Sequence, residues 1–116
     1  MRGISLSVHG ALEMLAAPAI MVAPFLLDFG QAATIATVLV GVLLLGLAVQ
    51  VESPQPNVPI SAHAGFDYAV AAFATMSGIA IGLVTSEWYA PIFLIGVGAA
   101  QVALTAVTRF SQPRGA

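Results

Sequence analysis

Long apolar stretches, separated by short polar or proline-rich segments, divide the chain into four parts. The apolar stretches cover approximately residues 4–27, 31–51, 60–85 and 88–110. Each is close to the roughly 20 residues that a helix needs to cross the hydrocarbon core of a bilayer. Backbone groups in lipid must be paired internally, and no stretch alternates as a strand does, so the pattern predicts four transmembrane helices. The connector at 52–59 contains three prolines, which excludes a helix there.

Composition supports the same interpretation. The chain has 116 residues, of which 59% are apolar and 7% are charged, whereas soluble proteins contain about 25% charged residues. We therefore expect an all-α fold in which residues 1–116 form a single transmembrane domain, a polytopic four-helix bundle. A net charge of −2 without any lysine excludes a basic face for nucleic acid. The absence of cysteine excludes thiolate metal sites and iron–sulfur clusters.

The three arginines predict how the bundle is oriented. Arg2 precedes the first helix, and Arg109 and Arg114 stand at the end of the fourth. Because cytoplasmic segments are enriched in basic residues, we expect both termini and the connector on the cytoplasmic side of the cell (inner) membrane.

The two halves of the chain also resemble each other. Residues 7–13 align with residues 61–67 after a shift of 54 positions, and each segment opens one of the odd-numbered helices. The bundle is therefore compatible with two duplicated helical hairpins, an arrangement that often places a site between the halves.

Two pairs of ionisable residues stand out in the apolar stretches. His9 and Glu13 are four residues apart on the first helix, and His63 and Asp67 repeat this spacing on the third. Residues at i and i+4 share a helix face, so each pair presents an imidazole beside a carboxylate. Because ionisable groups are costly in hydrocarbon, these four residues form the candidate site, at one depth near the cytoplasmic face.

The fourth helix supplies a supporting polar face at the same depth. Gln101, Thr105 and Thr108 are spaced along one side of this helix, and Arg109 follows at the membrane boundary. Residues 38–49 of the second helix are entirely apolar, so we expect that helix to contribute packing only.

Several chemistries fit these residues. They could form a hydrogen-bonded network that sets helix register, with Arg109 paired to Asp67 or Glu13. Two imidazoles and two carboxylates also suit a divalent metal such as zinc, iron or manganese. A haem between His9 and His63 is less favoured, since the carboxylates would crowd a porphyrin. Finally, the same groups could relay protons or ions.

Small residues on the third and fourth helices predict close helix packing. Gly78 and Gly82 form a GxxxG pattern, and Gly96 with Ala100 repeats a small-x-x-x-small pattern. Such pairs let backbones approach closely, within one chain or between copies.

The stretch Ala-Pro-Phe-Leu-Leu-Asp-Phe-Gly at 23–30, with the glycine-containing segment at 41–44, resembles the SPW-repeat family of small bacterial membrane proteins. The resemblance covers residues 10–50. Members of that family carry a Ser-Pro-Trp motif at a helix end, and this chain has Ala-Pro-Phe in its place. The second half looks like small membrane proteins of high-GC bacteria. This resemblance implies membrane localisation and no known catalytic activity.

The sequence thus predicts a non-enzymatic integral membrane protein with a structural or accessory role as a subunit of a complex. Metal binding at the four-residue site is the first alternative, and a proton- or ion-conducting or transporter subunit is the second. The expected partners are the lipid bilayer and other membrane subunits or further copies of the chain.

Overall fold

Four long helices make up most of the computed structural model, which describes residues 3–52 and 59–110. They are α1 (Leu6–Leu26), α2 (Gln31–Glu52), α3 (Ile60–Thr85) and α4 (Tyr89–Ala106). All four are long and apolar enough to cross a membrane. The prediction of an all-α four-helix membrane bundle is therefore confirmed, and α2 and α3 follow the predicted bounds closely.

Local sequence explains where helices begin and end. The hydroxyl of Ser5 accepts a hydrogen bond from the backbone N–H of Val8 at 3.2 Å and so caps the first turn of α1. At the other end of the bundle, Asp28 and Ser86 adopt left-handed backbone conformations, with φ of 56° and 60°. A left-handed residue after the last turn stops a helix and reverses the chain. These two residues therefore close the α1–α2 and α3–α4 hairpins.

The helices pack mainly as two hairpins. α1 lies closely against α2, and α3 against α4, while the hairpins meet chiefly through α2 and α3 and only sparsely through α1 and α4. Large apolar side chains such as Leu15, Phe25 and Leu83 remain exposed on the outside, as expected for a surface covered by lipid. The shared core lies inside the bundle and includes Ala17, Ile20, Val40, Leu44, Val70, Ala74 and Leu94.

The end of α4 differs from the prediction. The helix ends at Ala106 rather than near position 110, and Thr108–Arg109 form a short strand, β2. This strand pairs in parallel with β1 (Ile4–Ser5), with Ile4 opposite Thr108, so α1 also begins later than predicted. The reason is local, because Thr108 is buried, Arg109 is exposed and Phe110 is partly buried, an alternation that suits a strand.

The two strands join the beginning of α1 to the end of α4, and we call this end of the bundle the strand end. The backbone N–H of Ile4 also donates to the carbonyl of Val107 at 3.0 Å. Most of the predicted connector, residues 53–58, lies outside the described residues, as do Arg2 and Arg114.

Candidate metal centre

The four predicted ionisable residues lie together at the strand end of the bundle. His9 and Glu13 project from the first two turns of α1, and His63 and Asp67 from the first two turns of α3. All four side chains are buried, with at most 2% of their surface exposed. The i, i+4 spacing places each imidazole beside its own carboxylate, and the packing of the hairpins brings the two pairs into contact.

Asp67 lies at the middle of this group, which we call the polar centre. Its Oδ2 atom is 3.1 Å from Nε2 of His9 and 2.9 Å from Nδ1 of His63. Nε2 of His9 is also 3.2 Å from Oε2 of Glu13. His9, His63 and Asp67 each offer one potential metal-ligand atom, and these three atoms lie within 4.8 Å of one another.

Gln101 connects α4 to both carboxylates. Its amide nitrogen donates to Oε2 of Glu13 at 2.8 Å and to Oδ1 of Asp67 at 2.9 Å. An amide NH2 group has two N–H donors. Both are therefore committed to the polar centre, and three helices are joined through side chains.

Nδ1 of His9, the ring nitrogen that faces away from the carboxylates, has a partner that sets the tautomer of a neutral ring. Nδ1 lies 2.8 Å from the hydroxyl of Thr108, and this hydroxyl donates its own proton to the carbonyl of Leu104 at 2.6 Å. Because a hydroxyl has a single proton to donate, Thr108 must accept from Nδ1–H of His9. A neutral His9 then directs the lone pair of Nε2 towards the carboxylates.

The backbone of α2 orients His63 in a similar way. Its Nε2 atom lies 3.1 Å from the carbonyl oxygen of Leu47, which can only accept a hydrogen bond. The N–H of a neutral His63 is therefore at Nε2, and the lone pair of Nδ1 faces Asp67. The expectation that α2 contributes packing alone is wrong, since a backbone carbonyl, invisible in its apolar side chains, orients one imidazole.

Phe110 covers the polar centre at the strand end. Its ring centroid is 5.2 Å from that of His9 and 5.7 Å from that of His63. The β1–β2 pairing holds the segment that carries both Thr108 and Phe110 across the end of the bundle. Sequence reasoning missed the roles of Phe110 and Leu47; the short alternation at 108–110 was the one available signal for the former.

The remaining residues of the predicted supporting face have different positions. Thr105 is buried, and its hydroxyl has no hydrogen-bond partner among the described residues. Arg109 is exposed, and the ion pairs found in the described chain join the carboxylates to the two histidines. The predicted pairing of Arg109 with Asp67 or Glu13 is therefore wrong, because alternation along β2 turns this side chain outward.

The small residues divide into two groups. A Cβ at Gly78 would touch the backbone of Pro91, and one at Gly82 would overlap the ring of Trp88, so both allow close contact between α3 and the α4 segment. Gly96 and Ala100 are exposed, and nothing lies within 4 Å of a Cβ built at Gly96. Among the described residues, the Gly96–Ala100 pair therefore does not bring two helices together, and Gly98 makes the close approach to α3 instead.

No protein-family model, curated protein or solved structure matches this chain. The resemblance to the SPW-repeat family thus has no support beyond the residues that suggested it and stays a prediction.

Proposed function

We propose that this integral membrane protein binds a divalent metal ion at the polar centre, with His9, His63 and Asp67 as ligands and Glu13 as a further carboxylate. The observation that carries the proposal is the meeting of two imidazole nitrogens at one oxygen, Oδ2 of Asp67, with Nδ1 of His63 at hydrogen-bond distance and alignment. In the neutral tautomers that Thr108 and the carbonyl of Leu47 favour, both nitrogens present lone pairs to this oxygen. Three electron-rich atoms facing one another repel unless a positive charge lies between them. Either protons or a metal ion can supply that charge.

The geometry at His9 favours a metal ion over a proton. Nε2 lies 3.1 and 3.2 Å from two carboxylate oxygens, yet it is aligned for a hydrogen bond with neither. A buried N–H without an aligned acceptor is costly, and most buried polar groups in proteins are paired. A metal ion requires only that ligand atoms surround it, and atoms about 2.0 Å from a tetrahedral ion are about 3.3 Å apart. The nitrogen-to-oxygen separations of 2.9–3.2 Å are close to this value, and the three potential ligand atoms of His9, His63 and Asp67 all lie within 4.8 Å of one another.

The contacts behind the ligands support the same proposal. Histidine ligands usually donate their second N–H to a carbonyl, a carboxylate or another polar group, which fixes the ring and its tautomer. Thr108 and the carbonyl of Leu47 stand in those positions. With nitrogen and oxygen donors and no sulfur, zinc, iron(II) and manganese(II) are the suitable ions. A divalent ion would also balance the two buried carboxylates.

Haem does not fit the same residues. Oδ2 of Asp67 touches both imidazoles, whose ring centroids are 5.9 Å apart. A porphyrin coordinated by both rings would have to occupy the space that this carboxylate takes.

The test is the metal content of protein purified in detergent after growth in metal-supplemented medium. We expect about one divalent ion per wild-type chain and almost none in Asp67→Asn, which keeps the side-chain shape but removes the shared ligand charge. Asp28→Asn is the matched control, because Asp28 is an exposed acid in the α1–α2 turn. Wild-type protein that holds no stoichiometric metal and gains none on titration would exclude the proposal.

A structural or accessory role is the second candidate. If both histidines are protonated, two imidazolium groups balance two carboxylates, and the contacts from His9 to Asp67 join hairpins that otherwise meet sparsely through α1. Stable, folded wild-type protein without metal, together with lower stability in His9→Ala plus His63→Ala, would support this role over metal binding.

Proton or ion conduction receives less support, because the half of the bundle away from the strand end has few polar groups free to conduct. The hydroxyls of Thr34, Thr37 and Ser77 donate to backbone carbonyls of the same hairpin. Between them and the polar centre lie buried apolar side chains, including Val40 and Leu94. The described part of the chain therefore presents an apolar layer rather than a polar path.

The proposed orientation places the strand end on the cytoplasmic side, as the arginine distribution favours. Because the chain has no cysteine, an Asp28→Cys variant carries a unique thiol. We expect a membrane-impermeant thiol reagent to label it from outside intact cells. Labelling only after the cells are opened would reverse the orientation.

A further inference from the structure

The polar centre is closed, so an ion or a water molecule can reach it only if part of the protein moves. All four of its ionisable side chains are at most 2% exposed. Helix contacts close the sides that α1 forms with α2, α3 with α4, and α2 with α3. The crevice between α1 and α4 exposes an apolar surface that includes Leu12, Ile20 and Val97. Because an ion enters apolar surroundings only at a high cost, this lateral route is unfavourable.

Among the described residues, one short segment covers the remaining side, at the strand end. Residues 107–110, which we call the strap, leave the end of α4 and cross the bundle to pair with β1. Thr108 and Phe110 are two residues apart, so their side chains face the same side of the strand. That side is the polar centre, where the hydroxyl of Thr108 lies 2.8 Å from Nδ1 of His9 and the ring of Phe110 lies against both imidazoles.

The strap is held to β1 by a very short ladder. The ladder consists of two residue pairs, and the backbone N–H of Ile4 donates to the carbonyl of Val107 at 3.0 Å. An isolated two-stranded ladder is marginally stable at best. Local opening of a protein begins at its least stable elements. We therefore expect the strap to open at a lower cost in free energy than any separation of the four helices.

Opening of the strap would change two contacts of the polar centre together. The ring of Phe110 would no longer cover the imidazoles, and Nδ1–H of His9 would lose its acceptor, the hydroxyl of Thr108. An entering ion would then meet an uncovered centre in which His9 is free to turn. Closure of the strap would restore both contacts around the ion.

We propose that the strap is the gate through which the polar centre exchanges its contents with the aqueous side of the strand end. The identity of the exchanged species, a divalent metal ion, rests on the proposed function. Access of water to the two histidines does not rest on it, so the gate can be tested on metal-free protein.

A reversible lock tests the gate. Ser5 and Arg109 are paired across β1 and β2, and the chain has no cysteine, so Ser5→Cys with Arg109→Cys can form a single disulfide within the chain. Neighbouring strands are about 4.8 Å apart, within the roughly 4.4–6.8 Å that a disulfide spans between Cα atoms. The oxidised variant is compared with the same variant kept reduced by a phosphine, so the loss of the Ser5 cap affects both forms equally.

The main readout needs no metal. Metal-free protein in lipid nanodiscs, purified without a histidine tag, is transferred to D2O. Exchange of the imidazole C2 hydrogens of His9 and His63, the two histidines of the chain, is followed by mass spectrometry of their peptides. We expect the disulfide to slow this exchange about tenfold or more, because a cross-link opposes opening of the segment that it closes. In metal-loaded protein, the disulfide should slow removal of the metal by a water-soluble chelator to a similar extent.

A second variant loosens the strap without changing a residue of the polar centre. Proline has no backbone N–H, so Ile4→Pro removes the hydrogen bond to the carbonyl of Val107. The loss of one such hydrogen bond predicts C2 exchange that is about two- to tenfold faster than in the wild type. Ile4→Val keeps the N–H and the branched side chain, and this matched control should exchange at the wild-type rate.

The outcomes separate the gate from the metal. Equal C2 exchange in the oxidised and reduced forms would overturn the proposal, because access would then bypass the strap. Failure of the two cysteines to cross-link under a mild oxidant, or unchanged exchange in Ile4→Pro, would overturn it as well. Wild-type protein that binds no metal, together with C2 exchange that the disulfide slows, would exclude metal binding and support the gate.

Discussion

Replacing Thr108 by valine should weaken metal binding without removing any ligand. Valine keeps the shape of threonine but lacks the hydroxyl, which accepts from Nδ1–H of His9 at 2.8 Å and donates to the carbonyl of Leu104 at 2.6 Å. His9 would then be free to rotate or to carry its proton on Nε2, the atom that faces Asp67. Removal of such a supporting contact typically lowers metal affinity about 10- to 100-fold.

The same change should destabilise the fold, because a buried imidazole N–H loses its acceptor. An unsatisfied buried donor costs about 1–3 kcal/mol. At about 1.4 kcal/mol per tenfold change, the expected loss of metal affinity corresponds to about 1.4–2.8 kcal/mol. Both effects come from one hydrogen bond, so they should appear together.

Two other buried threonines provide matched controls. Thr37→Val removes a hydroxyl that donates to the carbonyl of Ala33 in the same helix, and Thr105→Val removes a hydroxyl near the polar centre that has no partner among the described residues. Metal affinity would be measured for each purified variant by competition with a chromophoric chelator, and folding by thermal unfolding in detergent. We expect both controls to bind metal within about threefold of the wild type, since distant or unpaired groups should not couple to the ligands. Wild-type affinity in Thr108→Val, or an equal loss in Thr105→Val, would refute the assigned role of Thr108.

Two further predictions concern helix packing and access to the polar centre. Gly41→Ala should lower the free energy of unfolding by about 1–3 kcal/mol, because its Cβ would overlap Met21 on α1. Gly46 lies on the same helix, and a Cβ built there has no described neighbour within 4 Å, so Gly46→Ala should be neutral or stabilising by up to about 1 kcal/mol. Thermal unfolding of both variants checks this prediction. Equal effects of the two substitutions would contradict the close α1–α2 contact. Phe110→Ala should speed the removal of bound metal by a chelator, since this ring covers both imidazoles, whereas the exposed Phe73→Ala should release metal at the wild-type rate. Unchanged release from Phe110→Ala would show that the ring does not limit access.

The sequence alone determined the class of the protein and the faces of its helices. Apolar stretches of membrane length predict helices whatever their neighbours, because an unpaired backbone is not tolerated in lipid. The i, i+4 spacing of His9 with Glu13, and of His63 with Asp67, likewise requires only the helical repeat. These features depend on residues close together in the chain, and the structure reproduces the helices with bounds that differ by a few residues.

Only the tertiary structure decided that the two histidine–carboxylate pairs meet at one atom. Helix rotation and depth are set where surfaces meet, as at Gly41 against α1 and Gly98 against α3, and these contacts bring both imidazoles to one oxygen of Asp67. The carbonyl of Leu47 joins them through the backbone, which leaves no trace in side-chain pattern. The two-residue ladder that turns Thr108 inward and Arg109 outward is too short to be recognised from periodicity, since it forms only where the first and last described segments meet in space.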